Sequence, residues 1–245
     1  MVRDRLRAAI VSGDLVAGHA TSQVTLAKEL GVGRTPLREA LRMLQSEGLV
    51  VSEPNRRVRI AELSSSDAEQ LYIMRFALEG AAARITIPHL TSDDFAQLEG
   101  YMAQMAHYMR ADNYPGMRAP HRAFHLMFVG AVGERVTNVI SDLFDHAERY
   151  RRAFGATSPG KFWDSRASEH RAIVDAAAMG DVDAALRALI GHYARTVAVI
   201  FAGLDPKHDL SRLRAAALMV APGLKDVLDA EALETQAGQR RPVEA

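Results

Sequence analysis

Apolar residues recur at helical spacing over most of the chain, with one short interruption near the N-terminus. Leu26 and Leu30 give a first helix its apolar side. Gly31 stands where a helix C-cap takes a residue tolerant of positive φ, and Gly33 loosens the connection. A second helix restarts at Arg34-Thr35-Pro36, with proline in the first turn where its missing N–H costs nothing. Leu37, Leu41 and Leu44 recur inward along it, and Gly48 ends it. Leu49-Val50-Val51 then reads as a short strand, Glu53-Pro54-Asn55-Arg56 carries turn chemistry, and Val58-Arg59-Ile60 alternates as a return strand. After Glu62 the period changes. Ser64-Ser65-Ser66-Asp67 is a linker that doubles as a helix N-cap. From there to about residue 204 the pattern predicts helices over 66–87, 92–111, 115–131, 135–155, 159–179 and 181–203, with a further one at 209–219. Thr91-Ser92-Asp93-Asp94 opens the second of these; Gly133, Gly155 and Gly180 separate later ones, and Asp181 caps the last long one.

The expectation is a mainly α protein: a winged helix-turn-helix over 1–62, a linker at 63–66, an antiparallel all-helical bundle of six or seven helices over 67–221, and a flexible tail over 222–245. Composition agrees. At 245 residues the chain can hold two modest domains, and it is 48% hydrophobic with only 6% aromatic residues. The absence of cysteine excludes a disulfide framework and a cysteine-based zinc site, and fits a cytoplasmic setting. No apolar run reaches the length that spans a bilayer, and the opening Met1-Val2-Arg3-Asp4 is not that of a signal peptide. The net charge of zero conceals an asymmetry. Residues 1–62 carry ten Lys/Arg against seven Asp/Glu, and the remainder twenty against twenty-three. The positive excess falls on the helix-turn-helix, as DNA contact requires.

Arg34, Arg38 and Arg42 lie at i, i+4 and i+8, a stripe along one exposed side of the second helix. A basic stripe near the start of that helix suits phosphate contact and major-groove reading, and Arg56, Arg57 and Arg59 add charge to the wing. The alternative is a helical hairpin with merely solvated arginines. The segments IVSGDLVAG at 10–18, GVGRTPLREALRMLQSEGLV at 31–50 and PNRR at 54–57 resemble the winged-helix domain of GntR-type bacterial transcription regulators. The resemblance implies that Arg34, Thr35, Pro36 and Arg38 occupy positions used on DNA, with Arg42, Arg56 and Arg57 beside them. Two departures stand out. Arg57 replaces the glycine that usually follows Asn-Arg in the wing, and Val24 stands about where some relatives carry an arginine.

Four of the nine histidines have mutually consistent positions. His121 and His125, at i and i+4, leave one side of one helix. His170 lies ten residues before Gly180 and His192 eleven after Asp181, so an antiparallel pair of helices sets them at nearly one height, roughly 15–17 Å from the turn. Three helices thus could aim four imidazoles at one point, as metal sites in bundles are built. The alternative is four unrelated histidines, partly buried and hydrogen-bonded. His89, His107, His146 and His208 show no such relation. Residues 67–204 resemble the FCD ligand-binding domain of the FadR branch of these regulators, through LYIMRFALEGAAARI, HRAFHLMFVGAVG and EHRAIVDAAAMGDVDAALRALIGHYART. That resemblance implies a divalent metal held by an Asp-x3-His pair and two later histidines. His125, His170 and His192 match; His121 stands in place of the aspartate. An all-imidazole set is softer and favours zinc, nickel or cobalt over manganese or magnesium.

Arg75, among Leu71, Met74 and Leu78, is either paired with Glu79 at i+4 or turned to a cavity where a guanidinium binds an organic acid; the resemblance favours the second. The expected function is a homodimeric transcription regulator, a repressor by the commoner family behaviour. It would read a palindrome and respond to a small carboxylate bound through the metal and Arg75. Two other classes stay open: a regulator for which the ion itself is the signal, and a bundle metalloenzyme. Against the latter, no nucleophile elbow, phosphate loop or nucleotide fingerprint is present, and Glu169 points about 100° away from His170 on an ideal helix.

Overall fold

The computed structural model of the chain describes residues 1–54, 57–154 and 159–224, without the side chains of 159–165. It divides into two compact units after Ser64. The wing turn at Asn55-Arg56, the break at Gly155 and most of the expected tail fall outside the described residues.

The first unit holds α1 (Val2–Ser12), β1 (Ala20–Ser22), α2 (Gln23–Leu30), α3 (Arg34–Ser46), β2 (Val50–Glu53) and β3 (Arg57–Ile60). Helix α1 and strand β1 extend the sequence expectation, which began at α2. The sheet runs β1-β3-β2, wholly antiparallel, with Val50 opposite Ile60, Glu53 opposite Arg57 and Ala20 opposite Arg59. Gly31 does end α2 in the left-handed region at φ 66°. Leu6 and Ile10 of α1, Leu26 of α2, Leu37, Leu41 and Leu44 of α3, and Leu49, Val58 and Ile60 close one core. Glu47 ties α3 to α1, accepting from Arg3 Nε at 2.9 Å and Arg7 Nε at 3.0 Å.

The second unit is helical among the described residues: α4 (Ser65–Thr86), α5 (Ser92–Arg110), α6 (Tyr114–Met127), α7 (Glu134–Phe154), α8 (Pro159–Ala178), α9 (Val182–Leu204) and α10 (Ser211–Val220). Bounds agree with the periodicity to within a residue or two except at α6, which ends at Met127 and gives way to a 3-10 turn at Gly130–Val132. Thr91 and Asp94 close a reciprocal capping box on α5, and Asp181 caps α9 by accepting from Ala184 N at 2.8 Å. Helix α9 packs against α4, α7, α8 and α10. By length and composition α9 could cross a membrane, which corrects the expectation that no apolar run is long enough; 72% of its apolar window, however, is buried inside the bundle. The buried row Leu186, Leu189, Ile190, Val197, Ile200 and Phe201 explains that hydropathy as core packing. Gly80 lets α10 lie close on α4, because a Cβ there would collide with Val220 Cγ1.

Candidate DNA-binding surface and metal centre

In the first unit, Leu37, Ala40, Leu41 and Leu44 bury one side of α3 and turn the other outward. Arg34, Thr35, Pro36, Arg38 and Arg42 are all exposed on it. None of these three arginines forms an ion pair among the described residues, so their donors stay open to an external anion. Arg57 is exposed at the end of β3 and lies 3.9 Å from Glu53. Arg59 is engaged within the sheet, donating to Glu53 at 2.6 Å and to the Gly18 carbonyl at 3.1 Å. Arg56 lies outside the described residues.

In the second unit, α6 supplies His121 and His125, α8 supplies His170 and α9 supplies His192. Pro120 sits inside α6 next to His121, frees the backbone bond a proline cannot make, and is itself buried. One ligand nitrogen from each imidazole lies within 4.8 Å of all the others, and each residue is at most 4% exposed. The ring centroids of His170 and His192 are 4.7 Å apart, so the height matched across the Gly180-Asp181 turn is realised. His121 Nε2 and His125 Nε2 are 3.1 Å apart. Among the described residues this is the one group of three or more histidine or acidic side chains with metal-ligand spacing.

Three carboxylates surround the cluster. Glu79 accepts from Arg75 Nε at 2.6 Å and from the Tyr193 hydroxyl at 2.5 Å. With its proton directed to Glu79, Tyr193 Oη accepts from His125 Nδ1 at 3.1 Å, which leaves the Nε2 lone pair of His125 facing the cluster. Glu169 accepts from His192 Nδ1 at 2.7 Å and orients that ring in the same way. Arg166 and Arg195 hold Glu169 in turn, at 2.7 and 2.6 Å. Glu148 pairs with Arg151, whose Nη1 donates to His121 at 2.7 Å. Arg75 therefore forms the Glu79 ion pair, buried at 3% exposure beneath the rings of Tyr72, Phe144 and Tyr193. Burial works against its charge, but Glu79 together with Tyr193 and Tyr72 outweighs that and holds its pKa above the ordinary guanidinium value.

Helix periodicity found the four histidines because their spacing lies within single helices or across one turn. It missed Glu79, Tyr193 and Glu169 as orienting partners. The offset of Glu169 from His170 is real, but it aims the carboxylate at His192 on the neighbouring helix. Arg151, in the charged run Glu148-Arg149-Tyr150-Arg151-Arg152, is drawn inward by Glu148 and His121.

Burial holds all four imidazoles below their ordinary pKa. The charge of Arg151 adds to the effect at His121, and neighbouring imidazoles add to it at His125 and His192. Burial and then Arg166 pull His170 down to about 3, against Glu169. All four are neutral at pH 7 and present lone pairs, the form in which imidazole ligates metal. Unfolded histidine takes a proton near 6.5 whereas the native cluster does not until far lower, so native stability is complete above about 6.5 and falls as pH drops toward 3. Each such group contributes up to about 1.4 kcal/mol per pH unit to that slope. Urea unfolding of metal-free chain between pH 7.5 and 5 checks it: the midpoint should hold down to about pH 6.5 and decline below it, and a flat profile throughout would contradict the neutral cluster.

Comparison with known proteins agrees with both units. Residues 1–60 match bacterial regulatory proteins of the gntR family, and residues 70–195 match the FCD domain. An uncharacterized HTH-type transcriptional regulator of Agrobacterium vitis is 32% identical over 133 residues, covering 53% of this chain and 77% of the relative. A probable D-xylose utilization operon transcriptional repressor of Paenarthrobacter nicotinovorans is 28% identical over 197 residues, 79% of this chain and 84% of the relative. Among solved structures, E. coli McbR/YncC superposes with a TM-score of 0.72 at 19% identity, over 82% of this chain and 95% of that one. A putative GntR regulator from Rhodococcus sp. RHA1 gives 0.70 at 22%, over 82% and 96%. At those identities the superpositions show the fold alone. The family matches and the Agrobacterium relative carry the assignment: this chain belongs to the GntR family of bacterial regulatory proteins, among the members whose second domain is an FCD domain.

Proposed function

We propose that the chain is a cytoplasmic, homodimeric repressor whose operator affinity is set by a small carboxylate bound beside a divalent metal in the helical unit. The observation that carries this is the convergence of four buried, neutral imidazoles, two of them oriented through carboxylates. The residues fit a metal. His170 Nε2 is buried with no hydrogen-bond partner, a cost that a ligated ion would remove. The 3.1 Å between His121 and His125 nitrogens is close to the roughly 3.3–3.4 Å that tetrahedral Zn–N bonds of 2.0–2.1 Å require. A ring nitrogen cannot ligate a metal and accept from a guanidinium at once, so the metal and Arg151 compete for His121. His121, His125, His170 and His192 would hold the ion, which supplies a Lewis-acidic cation toward an acid. In the first unit Arg34, Thr35, Pro36, Arg38 and Arg42 would meet bases and phosphates, with Arg56 and Arg57 on the backbone beside the wing. Arg75 would act on the site only through the Glu79–Tyr193 chain that orients His125.

A second reading, in which the ion is the signal, is favoured by the donor set. Four imidazoles fill the tetrahedral shell of zinc and leave no position for an acid. An ion that takes more than four ligands, such as nickel or cobalt, would leave room for an acid beside His121, His125, His170 and His192, so the effector-linked reading goes with nickel or cobalt and the ion-as-signal reading with zinc. DNA selected from a random library by the full chain separates them. The selected sites should be palindromic with half-sites about one helical turn apart. An acid that shifts affinity only in metal-loaded protein supports the first reading, and a shift on loading metal alone supports the second. Equal affinity in metal-free, loaded and acid-treated protein would contradict both.

A further inference from the structure

We propose that a second chamber beside the histidine cluster binds the apolar body of an aryl monocarboxylate, so that the effector is an amphipathic acid and not a sugar acid or dicarboxylate. This deepens the effector reading above and rests on it. A cavity of about 340 Å³ lies between α5, α6 and α8. Met102, Met105 and Met109 line it from one face of α5, and Met117 lines it from α6. His170 belongs to both the cavity wall and the histidine cluster, so the chamber adjoins the candidate metal centre through that ring.

The wall chemistry selects the ligand. Thioethers are polarizable and adaptable, make favourable contacts with aromatic rings, and accept hydrogen bonds only weakly. The polar groups are confined to two places. Glu99 and Arg171 pair with each other and are half exposed, so their charges are already matched. Arg166 and His170 are buried, and lie where the wall meets the cluster. Arg166 is itself paired with Glu169. What draws a carboxylate to this end is therefore the ion that the adjoining histidines would hold, while the body of the acid lies along the methionines. At roughly 30 Å³ per water-sized group the chamber holds about eleven non-hydrogen atoms, the size of a phenyl ring with a short acid arm. A sugar acid of that size would bring about four hydroxyls against sulfur and methyl groups, and each one buried without a partner costs roughly 5- to 150-fold in affinity.

The full-length, metal-loaded chain labelled with [13C-methyl]methionine tests this with phenylacetate and gluconate as probes. Phenylacetate should give saturable shifts at the methyls of Met102, Met105, Met109 and Met117 and leave the exposed Met74, Met179 and Met219 unmoved. Gluconate at the same concentrations should move none of the four. Shifts of equal size with gluconate, or no saturable shift with phenylacetate, would overturn the proposal. Failure of the metal reading is distinguished by repeating the titration on metal-free chain. Phenylacetate shifts that survive there support the chamber even if the histidines hold no ion.

Discussion

Replacing Arg38 with alanine is expected to weaken binding to the selected operator by about 1–3 kcal/mol, a factor of roughly 5–150, with the unfolding midpoint unchanged. The physical basis is the division of labour on α3. Leu37 and Leu41 are buried in the core on either side of Arg38, whereas the Arg38 side chain is exposed and has no ion pair among the described residues. Removing it leaves the core intact and deletes only an outward donor. Anisotropy titrations over a salt series resolve what that donor meets. If Arg38 reads a base edge, the alanine variant should relax sequence discrimination at one position. If it meets a phosphate, the salt slope should fall by about one. Unchanged affinity in physiological salt would remove α3 from the DNA interface.

Glu79→Ala should be the most damaging single change in the helical unit, about 3 kcal/mol or more of stability. Breaking a buried pair strands a charge in an apolar setting. Here the stranded group would be Arg75, left with only the faces of Tyr72, Phe144 and Tyr193. The same change takes the acceptor from Tyr193 and so releases His125, which should lower metal affinity about 10- to 100-fold. The double variant Arg75→Met with Glu79→Leu should recover much of the stability, because the charge is removed together with its partner, but not the metal affinity. Urea unfolding and metal titration on the same samples separate the two effects. If the double variant is as unstable as Glu79→Ala, the ion pair is not the origin of the loss.

Much of this was legible in the sequence because the signals are local. Gly31 ends α2, Thr91 and Asp94 cap α5, and the i, i+4 pair on α6 shares a face by helix geometry alone. Even the match of His170 to His192 needed only one turn and a rise per residue. What stayed hidden depends on which helices become neighbours. Glu169 orients a histidine 23 residues away and Tyr193 meets a glutamate 114 residues away, and no periodicity reports such contacts. Strand β1 escaped for a related reason: three residues carry no alternation of their own and become a strand by pairing with β3. The hydropathy of α9 is the converse case, where a strong local signal is explained by burial within the unit.

The histidine cluster should hold an ion, and elemental analysis of purified, chelator-free full-length chain tests that directly. About one zinc, nickel or cobalt per chain is the predicted result, lost when His125 is replaced by alanine. Reproducible absence of metal, even after reconstitution with each of the three ions, would contradict it and leave His121 as the substitution that abolished the site.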